Sequence, residues 1–144
     1  MAQVLGIDFV LYYVSDLDRA VSFYERRLGL KLAGRWDSYR WAEFDTEPVT
    51  LALSEVRDTA RIGAEPTAAS LLPKSSTAQD GKEVPVPAIG LAVADVDSAL
   101  EELRRAGVKV LVETVESGVC HMALITDPDG NALWLHRRKD GTVG

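Results

Sequence analysis

The chain has 144 residues, 47% of them hydrophobic and 26% charged, with a formal net charge of −6. That length fits one domain and is enough to bury about two thirds of the unfolded surface. The negative charge disfavours nucleic acid and anionic membranes as partners, and the short Arg137-Arg138-Lys139 run reads as a solvated edge.

Residues 7–14, Ile-Asp-Phe-Val-Leu-Tyr-Tyr-Val, are β-branched, aromatic and nearly all apolar, which predicts a buried strand with Asp8 at its edge. Ser15 stands three residues before Asp18, a capping-box spacing that opens a helix. Leu17, Val21, Tyr24 and Leu28 then recur on one helical face, and Gly29 stops it. Strands are expected at 30–34, 38–44 and 49–55, with Asp45 to Pro48 turning between the last two. Residues 57–85 break the periodicity. They read as an excursion or linker, with short helical turns possible at 57–63 or 67–72.

The opening pattern then returns. Residues 87–94 read as a strand and Asp95 as an N-cap three residues before Ser98. Val96, Leu100, Leu103 and Ala106 line a helix that Gly107 ends. Strands at 108–112, 119–126 and 131–136 follow, the last two joined by the turn Asp127-Pro128-Asp129-Gly130. Asp127 and Asp129 read as turn formers, and Asp16 and Asp95 as helix starts. Asp-Leu-Asp-Arg-Ala from Asp16 aligns with Asp-Val-Asp-Ser-Ala from Asp95, and Leu28-Gly29-Leu30 with Ala106-Gly107-Val108. An internal repeat predicts one α+β domain over 1–144 made of tandem βαβββ modules, 5–56 and 86–138, enclosing a cleft.

Cys120 is the single cysteine, so no intrachain disulfide forms and a small buried side chain is its expected role. The first residues lack a signal-peptide pattern, and no apolar run reaches the roughly 20 residues of a membrane span. The expectation is a cytoplasmic protein.

Val14-Ser15-Asp16-Leu17-Asp18-Arg19-Ala20-Val21-Ser22-Phe23-Tyr24, Leu28-Gly29-Leu30, Val93-Ala94-Asp95-Val96-Asp97 and Thr126-Asp127-Pro128-Asp129-Gly130-Asn131 resemble the vicinal oxygen chelate superfamily. This superfamily includes glyoxalase I, extradiol dioxygenases and bleomycin-resistance proteins. With the repeat, the resemblance covers nearly the whole chain outside the excursion. It implies a homodimer. It also implies metal-ligand positions, and here those hold Phe9, Ala88 and Trp134, with a fourth near Leu51. Such side chains offer no lone pair or charge to a metal. The reading is therefore no metal and no cofactor.

Strand alternation groups Leu11 and Tyr13 with Phe9, and His136 with Trp134. Phe9 and Trp134 are either core plugs or a platform on which a flat ligand stacks. Tyr39, Trp41 and Glu43 alternate on another strand near Trp36, and Glu55 is a strand-end carboxylate. His121 is expected on the helix or solvent side. His136 is either a strand-end surface group or a general base. The favoured function is binding of a small, partly aromatic, neutral or cationic organic molecule in a metal-free cleft. Phe9, Leu11, Tyr13, Tyr39, Trp41, Glu43, Trp134 and His136 would line it, as in bleomycin-resistance sequestration. The alternatives are a lyase or isomerase of the glyoxalase-like superfamily, with His136 or a carboxylate as base, and a collapsed cleft with a structural role.

Overall fold

The computed structural model describes residues 2–55, 74–75, 84–85 and 87–143. The helical turns expected at 57–63 and 67–72 lie outside the described residues. The fold is α+β, with two repeated βαβββ-like units. The chain divides into two compact units, Leu11–Pro87 and Met1–Val10 with Ala88–Gly144. The division falls within the long first strand β1 (Val4–Val14).

In the unit Leu11–Pro87, α1 (Leu17–Ser22) is followed by β2 (Lys31–Trp36), β3 (Trp41–Asp45) and β4 (Thr50–Glu55), in the strand order β2-β3-β4-β1. Both β2–β3 and β3–β4 are antiparallel. Two short strands, β5 (Lys74–Ser75) and β6 (Val84–Pro85), pair antiparallel in the same unit. Leu17 and Val21 on α1 meet Ala42, Phe44 and Leu53, which closes a core against one face of these strands.

Three local expectations are corrected here. The N-cap of α1 is Asp16, the helix start also read from the sequence, and the capping box from Ser15 does not form. Asp16 has extended backbone angles, and its carboxylate accepts the Arg19 amide at 3.0 Å. Ser15 instead accepts Arg19 Nη2 at 3.1 Å. The helix also does not run on in α form to Leu28. It widens into a π turn at Phe23–Arg27, closed by Leu28 N–H on the Phe23 carbonyl at 3.3 Å. The wider turn shifts the side-chain phase, so Leu28 is exposed rather than on the core face. The third strand starts at Trp41, because Asp37–Tyr39 form a 3₁₀ turn ended by Arg40 at φ 53°.

In the other unit, β7 (Ala88–Val93) leads into α2 (Val96–Arg105), then β8 (Val110–Glu116), β9 (Cys120–Thr126) and β10 (Ala132–Arg138). The strand order is β1-β7-β10-β9-β8. Strand β10 runs parallel to β7 and antiparallel to β9, so the sheet is mixed. Val96, Ala99 and Leu100 of α2 pack on Val93, Ala123, Ile125 and Leu135. The two helices therefore cover one sheet face in each unit and leave the opposite face for other work. The expected repeat appears in detail, since each helix opens on an Asp cap and each is followed by a glycine at positive φ, Gly29 at 69° and Gly107 at 85°.

Asp95 accepts the Ser98 amide at 2.7 Å and satisfies one of the orphan donors of α2. Asp95→Ala is expected to lower stability by about 1 kcal/mol in urea unfolding. An unchanged midpoint would show that the cap is dispensable.

Candidate functional site

Strand alternation fixes what stands opposite α2. Val93, Leu133 and Leu135 point to the helix. Trp134 and His136 therefore point the other way, with their β7 neighbours Gly90 and Ala92 and their β9 neighbours Leu124 and Met122. The Phe9 ring lies over Gly90 so closely that a Cβ there would come within 2.6 Å of three ring carbons. Gly90 is thus the space in which the ring sits. Phe9 also meets His136 edge-on, with centroids 5.0 Å apart and planes at 79°. Phe9 and Trp134 are both fully buried. The Trp134 indole N–H has no hydrogen-bond partner among the described residues. An unmatched buried donor costs about 1–3 kcal/mol, so it favours any acceptor that reaches it.

The chemistry of this face centres on Asp8. It does not lie at an exposed strand edge, as its position in the sequence suggested. It is fully buried, and its Oδ2 is paired with Nδ1 of His136. Arg138 Nε stands 3.3 Å from Asp8 Oδ1, and Arg138 Nη2 donates to the Asp8 carbonyl at 3.4 Å. A buried carboxylate persists when it is paired and hydrogen-bonded in this way. His136 is likewise buried within a strand and is not a surface group. Burial opposes its charge, but the hydrogen bonds to Asp8 and Cys120 outweigh that cost and push its pKa up to about 9. At neutral pH His136 is an imidazolium.

Cys120 completes the cluster. In the β9–β10 ladder it stands opposite Arg138, two pairs along from Met122 and His136 and so on the same face. Its Sγ lies 3.3 Å from the Ser117 hydroxyl, which also accepts the Cys120 amide at 3.1 Å. With Nδ1 of His136 held by Asp8, Nε2 is the nitrogen left for the thiol. All three groups are buried.

The other expected residues lie in the unit Leu11–Pro87. Val14, Ala42, Phe44 and Leu53 belong to the core under α1. Leu11, Tyr13, Trp41, Glu43, Ala52 and Ser54 therefore share the opposite face. Trp41 donates its indole N–H to Glu43 at 3.0 Å. The Tyr13 hydroxyl is buried without a partner among the described residues, and burial raises its pKa. Tyr39 does not alternate with Trp41 and Glu43, because it sits in the 3₁₀ turn, 39% exposed. Glu55 is not a free strand-end carboxylate either. It accepts the first amide of α1, that of Leu17, at 2.8 Å. His121 lies near Glu116 at 3.6 Å, partly exposed, as expected. Asp127 accepts the amides of Asp129 and Asn131 at 2.9 and 2.8 Å, a turn former as expected.

The profile of the Glyoxalase/Bleomycin resistance protein/Dioxygenase superfamily matches residues 6–135. The chain belongs to this superfamily. Among solved structures it is similar to methylmalonyl-CoA epimerase from Mycobacterium tuberculosis, with a TM-score of 0.64 at 21% identity over 94% of this chain and 89% of that one. Streptomyces coelicolor methylmalonyl-CoA epimerase in complex with 2-nitronate-propionyl-CoA gives 0.60 at 23% identity, over 93% and 97%. A superfamily member from Vibrio splendidus gives 0.53 at 11%, over 94% and 98%. At such identities the likeness speaks to the fold.

The superfamily's metal does not fit this donor set. Phe9, Ala88 and Trp134 present carbon or an indole N–H where ligands would stand. Leu51 packs toward α1, and the opposite-facing neighbour is Ala52, which also carries no donor. Among the described residues no group of three or more His, Cys, Asp or Glu is placed to hold an ion.

The raised His136 pKa links protonation to stability. The folded value of about 9 exceeds the ordinary 6.5. Its stabilisation is complete below about pH 6.5 and is lost as pH rises through about 9. The unfolding midpoint of the native chain is expected to fall across that window, whereas His136→Asn should remove most of the slope. Equal slopes in both proteins would refute the assignment.

Proposed function

We propose that the protein is a small-molecule isomerase or lyase that moves a proton at a carbon next to a carbonyl group, with Cys120 and His136 as catalytic residues and Asp8 as the positioning residue. The observation that carries this reading is the buried Asp8–His136 pair with the Cys120 thiol hydrogen-bonded to the imidazole. An imidazolium beside a thiol favours the thiolate. The thiolate accepts the proton from carbon, the C–H electron pair moves to the carbonyl oxygen, and the new S–H returns the proton to the enolate. Asp8 fixes the imidazole tautomer and supports its charge, as an orienting carboxylate does in other relays. The unpaired Trp134 N–H suits an oxyanion or carbonyl acceptor on the same face. The epimerases of similar fold support proton transfer over simple sequestration.

The test is exchange of carbon-bound hydrogen in deuterated water, followed by NMR over a panel of thioesters, α-hydroxy aldehydes and 2-substituted carboxylic acids. The native chain is expected to wash deuterium into at least one class. Cys120→Ala and His136→Asn should each slow that exchange by about 100-fold or more. Saturable quenching of tryptophan fluorescence without exchange across the panel would reject catalysis and favour sequestration. As a separate readout, His136→Asn should slow iodoacetamide alkylation of Cys120 at pH 7 by about tenfold, because the thiolate loses its counter-charge.

A homodimer is part of the same proposal. Val4, Leu5, Ile7 and Val10 of β1 and Ile89 of β7 leave apolar side chains exposed within one unit. Sedimentation equilibrium is expected to give twice the chain mass, with Ile7→Glu shifting it toward monomer. A monomer mass for the native chain at micromolar concentration would reject the dimer.

A further inference from the structure

A second feature lies on the π turn, apart from the Asp8–His136 cluster. Arg19, Ser22, Phe23, Arg26 and Arg27 line an open surface cavity of about 450 Å³. Because it is open, a ligand there is held by the charged and ring groups that line it rather than by enclosure. Three guanidinium groups crowd one cavity of a chain whose net charge is −6. Like charges so placed repel, and nearby carboxylates do not relieve them. Asp18 is engaged by Arg35 at 2.5 Å, and Asp16 caps the Arg19 amide. Glu25 lies on the same turn but makes no ion pair with Arg26 or Arg27 among the described residues. Arg19 is steered by a neutral hydroxyl, that of Ser15.

Phe23 adds the second half of the argument. It is 49% exposed, and Tyr24 meets it edge-to-face with centroids 5.3 Å apart. Phe23, Arg26 and Arg27 stand at i, i+3 and i+4, so with Arg19 and Ser22 they form one wall along a single side of the helical segment. An exposed ring flanked by guanidinium groups matches a ligand with a planar ring and clustered negative charge. Arginine forks bind phosphate in paired hydrogen bonds, and rings stack on bases.

We propose that this cavity binds a phosphorylated small molecule carrying a planar ring, of the nucleoside diphosphate class. The local cation cluster overrides the acidic balance of the whole chain, since screening confines exposed charges to about 10 Å. This site does not depend on the reaction proposed for Cys120 and His136.

Equilibrium dialysis against labelled ADP, pyrophosphate and adenosine tests it. ADP is expected to bind saturably, one per chain, more tightly than pyrophosphate, and adenosine should bind weakly. Arg26→Gln with Arg27→Gln should weaken ADP by about tenfold or more. Phe23→Ala should bring ADP down to the level of pyrophosphate and leave pyrophosphate unchanged. Thermal unfolding of both variants establishes that they fold. The two arginines also complement the negative C-terminal end of the helix dipole. If that is their whole role, the double variant loses stability and native ADP binding is absent at millimolar concentration, which overturns the proposal. ADP affinity unaffected by the double substitution, or adenosine binding as well as ADP, overturns it too.

Discussion

A carboxylate removed from water must meet positive charge or give up its own. Asp8 meets it twice, in His136 and Arg138, and much of the face opposite α2 follows from that demand. His136 and Arg138 are two apart on β10, so both project to the same side, and the packing of Leu133 and Leu135 on α2 makes that the opposite face. Phe9, next to Asp8 in the chain, fills the volume that Gly90 leaves open and closes one flank of the imidazole. In that low-dielectric setting each charge acts more strongly than it would in water. The pair therefore serves both as a fastening between distant parts of the chain and as a held proton.

The superfamily scaffold usually presents oxygen and nitrogen ligands on this surface. Here rings and a methyl group occupy those places, and the charged groups stand one or two residues away. Asp8 precedes Phe9, and His136 lies two beyond Trp134. Positive charge that an ion would bring is thus supplied by an imidazolium and a guanidinium. A buried thiol, Cys120, stands beside the pair. The fold is unchanged by this exchange because the helix-side core, Leu17 and Phe44 in one unit and Leu100 and Leu135 in the other, makes no use of those positions.

Most of the architecture was legible in the sequence because it rests on local rules. The Asp caps, the glycine stops and the Asp127 turn each work within a few residues, and the tandem repeat follows from them. Two boundaries were not legible. The π turn and the 3₁₀ turn before Trp41 are settled by competing hydrogen bonds of similar strength, to which side-chain periodicity is blind. The candidate site was half visible. Phe9, Trp134 and His136 could be grouped from alternation, but their link to Asp8 spans 128 residues and appears only after the strands pair. One signal was present: an aspartate inside an otherwise apolar strand requires a partner if the strand is buried. Cys120 was hidden for a different reason, since a lone thiol takes its chemistry from neighbours the sequence does not put beside it.

The central claim is that His136 is held as an imidazolium by Asp8. It is tested most directly by the NMR titration of the His136 ring in protein carrying labelled histidine, with His121 as the internal comparison. The account predicts that the His136 resonances stay in the protonated form through pH 7 and titrate near 9. In Asp8→Asn that titration should move down toward ordinary histidine values. A native His136 that is already neutral at pH 7 would contradict the account.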